Sequence, residues 1–140
     1  MQSKLLAGLL LFTFVGISFY YLIKSPNENR IEREKFSAKG NLAIGIIKSR
    51  SYSKPESISF SYILNEVEMK GGDTKFYMDK DASEVFHDKD KSKPGNKFLV
   101  IYDSDDPKKS IIRLDYPITD SSDFQRYVKE FEQMRKTKTY

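Results

Sequence analysis

The sequence contains no cysteine, which excludes disulfide frameworks, thiolate metal sites, a cysteine nucleophile and lipid attached through sulfur. Its one histidine, His87, leaves too few imidazoles for a His-rich metal site. The missing cysteines do not fix a compartment, because they are dispensable in reducing and oxidising surroundings alike. Charge of one sign is also in short supply: 24 Lys and Arg stand against 20 Asp and Glu, a formal net charge of +4 over 140 residues. What is present, 39% hydrophobic and 31% charged residues, suits one modest domain and argues against disorder throughout.

The averages conceal a split. Residues 1–23 hold 16 hydrophobic residues and a single charged side chain, Lys4. Leu5 to Ile23 is a run of 19 uncharged residues, which at about 1.5 Å per residue spans roughly 28 Å, close to a bilayer's hydrocarbon core. Leu5, Leu10, Phe14, Tyr20 and Ile23 are therefore expected in a single transmembrane helix, with Tyr20, Tyr21 and Lys24 at headgroup level. Two other readings compete. A signal peptide cut after Ser18 would leave FYYLI as an exposed apolar N-terminus, and a buried core helix does not explain so uniform a run. Lys24, Arg30, Arg33, Lys35 and Lys39 outnumber Lys4 across the segment, so flanking charge leans the following domain to the cytoplasm. The common use of such segments as uncleaved export signals points the other way.

Residues 24–40, KSPNENRIEREKFSAKG, are dominated by charge and read as a solvated juxtamembrane stalk. Ser25 suits a cap and Pro26 the first position of a helical turn. Residues 41–140 then carry strand signals. Leu42 to Lys48 is an Ile-rich run, and Ser57 to Leu64 alternates Ser57, Ser59 and Ser61 with Ile58, Phe60 and Tyr62. Asn65-Glu66 supplies a turn, Val67 to Met69 resume the alternation, and Gly71-Gly72-Asp73 is expected to break it. Asp81 and Glu84 have capping-box spacing for a short helix from Ala82 to about His87. Lys97 to Tyr102, KFLVIY, predicts a strand covered on both faces, joined through DSDDPKK to a second strand, Ile111 to Tyr116. After Pro117 the period becomes helical: Phe124, Tyr127, Val128, Phe131 and Met134 line one face of a helix from about Asp123 to Lys136, capped by Ser121 or Ser122. The fold expected is mainly β: one N-terminal transmembrane helix, then a small antiparallel β-barrel or sandwich of five or six strands with a C-terminal helix.

The strand SISFSYILN, a Gly-containing break, a polar loop and then PGNKFLVIYDSDDPKKSIIRLD, behind one apolar segment, resemble a class of uncharacterised bacterial membrane-anchored small β-domain proteins. Gly95, Tyr102, Asp103 and Pro107 match the recurring element of that class: Gly, a hydrophobic strand ending in Tyr-Asp, a turn with Pro, and another strand. The resemblance implies a small β-barrel or sandwich and no particular activity. The single apolar segment departs from relatives that carry a second one.

Chemistry is sparsely marked. Asp79, Asp81, Asp88, Asp90, Asp103, Asp105 and Asp106 cluster in two loop regions, but a calcium loop begun at Asp79 puts Glu84 where glycine is needed and Asp90 where a bidentate glutamate belongs. Interspersed Lys80, Lys89, Lys91 and Lys93 oppose a cation there. His87 has no Gly-x-Ser-x-Gly elbow to serve, and Gly71-Gly72 lacks the phosphate-binding pattern. The isoelectric point of about 9.1 raises nucleic acid, yet the basic excess lies in residues 24–50, with seven basic and three acidic side chains, while 51–96 have seven and nine. No cation flanks Phe60 and Tyr62 on their strand, as a stacking platform for bases requires, so no nucleic-acid partner is expected. The sequence nominates no catalytic, cofactor or metal residue. The expected function is a non-enzymatic binding or assembly module, with the bilayer and another membrane or envelope protein as partners and Phe60 and Tyr62 as the contact face. A membrane-tethered hydrolase or ligand-binding domain using the acidic loops and His87 is the alternative.

Overall fold

The computed structural model describes residues 26–75 and 78–138. The expected membrane span, with Leu5, Leu10, Phe14, Tyr20 and Ile23, lies outside them. Among the described residues, no helix is long and apolar enough to cross a membrane.

The chain begins with α1 (Pro26–Lys39) and continues through β1 (Asn41–Ser51), β2 (Ser57–Leu64), β3 (Val67–Thr74), α2 (Lys80–His87), β4 (Lys97–Tyr102), β5 (Ser110–Ile118) and α3 (Ser121–Thr137). The five strands form one sheet in the order β3-β2-β1-β4-β5, with every neighbouring pair antiparallel. Asn65 and Glu66, at φ 49° and 67°, form the tight β2–β3 turn whose left-handed backbone matches the twist of a two-residue hairpin.

Alternation sorts side chains onto two faces. On one, Ile47, Phe60, Tyr62, Val100 and Leu114 are fully buried beneath Ala82 and Phe86 of α2. On the other, Leu99 and Ile101 pack with Tyr127 and Phe131 of α3 and with Phe36 of α1. Strand β4 is thus covered on both sides, as its continuous apolar run predicts. Pro117 stands on β5, an edge strand, next to a register shift in the β4–β5 ladder, where a proline is tolerated.

Neither a closed barrel nor a sandwich forms: there is one sheet and it is open. Strands β3 and β5 curl toward each other. There Ser110 Oγ of β5 lies beside Gly71 of β3, and no strand ladder joins the two edges. The expected break at Gly71-Gly72 is also absent, because β3 runs through both. Gly71 lies opposite Phe60, whose ring occupies the space that a Cβ would need. Glycine here admits an aromatic ring between strands.

The expected solvated stalk is a helix that packs on the domain. Arg33 and Phe36, one turn apart, point the same way, Arg33 to Asp73 and Phe36 into the α3 cluster. At its C-terminus, the carbonyls of Ser37 and Gly40 accept the Arg135 guanidinium of α3. A cation there satisfies carbonyls that the helix leaves unpaired.

Candidate functional site

The most distinctive chemistry lies at the β3–β5 seam. Arg33 Nη1 donates to both Asp73 oxygens at 2.9 and 3.0 Å, and Nη2 donates to Oδ2 at 3.0 Å. The pair is largely removed from water, with the Asp73 side chain 5% and the Arg33 side chain 20% exposed. Burial pushes the Asp73 carboxyl above its ordinary value, and the Arg33 charge opposes that rise without cancelling it. Desolvation outweighs the ion pair, as it can for a carboxylate carried into a protein interior. Neither residue belongs to a local motif: they stand 40 positions apart, on a charged helix and at the end of a strand. Only Gly71-Gly72-Asp73, at the end of an otherwise alternating strand, marks the place in the sequence.

Phe60 and Tyr62 do not form a contact face. Each is 1% exposed and belongs to the core, because α2 covers the face of the sheet that carries them. Tyr62 stacks on Tyr102, with ring centroids 5.4 Å apart, and its hydroxyl donates to the Pro107 carbonyl, tying the β4–β5 loop to β2. Burial raises the phenol's pKa.

The exposed apolar side chains lie elsewhere. Ile63 and Val67 flank the β2–β3 turn at 62% and 59% exposure, on opposite faces of the sheet, and Ile44 on β1 stands on the same face as Ile63. The neighbours of Ile63 on its face are polar: Ser49 and Ser59 share a hydrogen bond, and Lys48 reaches Glu68 at 3.5 Å.

Three of the acidic loop residues, Asp79, Asp88 and Asp103, serve their own backbone. Asp79 caps α2 by accepting the Ala82 N–H, a role the sequence suggests for Asp81. Asp88 accepts the N–H groups of Asp90 and Lys91, and the Lys91 N–H holds its carboxyl below the usual range. Asp103 accepts the Asp105 N–H. His87 is exposed at the end of α2, its ring edge-on to Phe86. Among the described residues there is no group of three or more His, Asp or Glu side chains placed to hold a metal ion. Arg50 bonds the carbonyls of Phe86 and Asp88 and the Ser92 hydroxyl, so this cation ties β1 to the end of α2.

No protein-family model, no curated protein and no solved structure matches this chain.

Proposed function

We propose that the chain is a membrane-tethered, non-enzymatic assembly module, in which residues 5–23 hold a small β domain at a bilayer and the domain engages another membrane or envelope protein. The observation that carries this reading is the docking of α1. The helix that follows the uncharged run is docked on the domain by Arg33, Phe36 and Arg135, where a free linker would make no such contacts. A 14-residue helix is about 21 Å long, so the docked arm sets where Pro26 stands relative to the sheet. Fixed geometry matters to a module that presents a surface to a neighbour in the same membrane. Ile63 and Val67, at a hairpin tip, are the natural contacts, in place of the buried Phe60 and Tyr62. The resemblance to membrane-anchored small β domains supports the same reading. The excess of Lys and Arg after the uncharged run favours the cytoplasmic side.

Mild detergent extraction of the full chain followed by size analysis tests the proposal. A complex larger than the monomer supports it, whereas a strictly monomeric, partner-free chain counts against it. A reporter fused after Tyr140, active in one compartment only, tests the side.

A further inference from the structure

The attachment of α1 is strong in kind but narrow in extent. Ile31 and Phe36 are the only large apolar residues in its 14, and Ile31 remains 46% exposed. A helix of this length is marginal in water by itself, so its order depends on docking. Its docking points include the Arg33–Asp73 pair, the Phe36 ring and the carbonyls taken by Arg135. Beneath it lie two strand edges that approach without pairing, with Gly71 of β3 beside Ser110 of β5. The remainder of the sheet does not depend on α1: β1 to β4 are knitted by antiparallel ladders, with one bulge between Ile47 and Ser49, and the Phe60 side of the core is closed by α2. A weakly rooted element over a well-rooted one is what opens first when a protein opens locally.

We propose that α1 is a detachable strap: its docked form closes the β3–β5 seam, and its release frees both strand edges while the five-stranded sheet stays folded. Arg33 is the latch, because withdrawing it leaves Asp73 charged in a desolvated site. The seam then has to admit water or a proton, so departure of the helix and opening of the seam form one event. Motion of the segment before Pro26 would in this way be passed to the edges of the sheet. The inference holds whether or not residues 5–23 lie in a bilayer.

Native-state hydrogen exchange on the full chain in mild detergent tests it. In the wild type, the amides of 31–39 and of Ile112 should exchange together and at least tenfold faster than those of Leu99 and Ile101. Arg33→Gln should speed the first group by a further tenfold or more and leave the β1, β2 and β4 amides within twofold. Exchange of the α1 amides at the rate of the β4 core in the wild type would overturn the strap, and this arm decides the matter even if the variant fails to fold. So would an Arg33→Gln effect spread evenly over the sheet, or one that leaves α1 untouched.

Discussion

Arg33 and Asp73 meet through three hydrogen bonds at the one place where the sheet turns back on itself without closing. A helix that would otherwise be linker is thereby made part of the domain, and a buried carboxylate is left dependent on a cation that arrives from outside the sheet.

The pair should be coupled and pH-dependent in a defined sense. Arg33→Ala should cost about 1–3 kcal/mol at neutral pH, below the roughly 3–5 kcal/mol of a fully enclosed pair, because α1 can leave. The Arg33→Met, Asp73→Leu double variant should cost less than the single one. Asp73 has a folded pKa above its unfolded value, so its protonation linkage favours the fold below the unfolded pKa, near 3.8, and that advantage is lost as pH rises through the folded value. Compared with Asp73→Asn by urea denaturation, the wild type should therefore lose relative stability as pH is raised from 3 toward neutrality. A gap that moves the other way would show that Asp73 is stabilised as a carboxylate.

The α3 capping box should show the opposite sign. The Ser122 hydroxyl and the Asp123 N–H hold the Asp120 carboxyl below its ordinary range, and the Thr119 N–H does the same for Asp123. Their contribution is present above the unfolded pKa and is lost as pH falls through the folded value. Asp120→Ala should lower the melting temperature at pH 7, and the difference from wild type should shrink on acidification. A difference that is constant with pH would sink the capping account.

Phe60 and Gly71 should behave as a unit. Phe60→Ala empties a fully buried site and should cost about 3–5 kcal/mol. Gly71→Ala drives a methyl into the ring and should cost about 1–3 kcal/mol. In the Phe60→Ala background the alanine at 71 should cost much less, which denaturant titration of the four proteins would reveal; simple additivity would mean that Gly71 is there for another reason.

The hairpin tip separates stability from association. Ile63→Ser with Val67→Ser alters exposed side chains, so the melting curve should move by the equivalent of under about 0.5 kcal/mol. Detergent-extracted complexes should nevertheless shrink toward the monomer. An unchanged size would remove the tip from the proposed contact.

Local periodicity made much of the sheet legible. The alternation of Ser57 to Leu64, the Asn65-Glu66 turn, the apolar KFLVIY and the helical stripe of Tyr127 and Phe131 each depend on neighbours within a few residues. Helix starts were legible to within two residues, but Asp79 and Asp120 cap where Asp81 and Ser121 or Ser122 are nearer the expected starts. What the pattern hides is non-local. Alternation shows that Phe60 and Tyr62 share a face, not that α2 covers it. Nothing near Arg33 reveals a carboxylate 40 residues away, so a docked helix reads as a solvated stalk. Nor does local pattern show whether the two edge strands pair, so an open five-stranded sheet reads as a barrel or sandwich.

The central claim is a domain held at a membrane and in contact with a neighbour there. The most direct measurement is photo-crosslinking in intact cells from a reactive residue placed at position 63 of the full chain, followed by alkaline washing of the membranes. The account predicts one discrete crosslinked species that stays with the washed membrane and is lost when Val67 is changed to serine. Recovery of the chain in the soluble wash, or as an uncrosslinked monomer in the membrane, would contradict it.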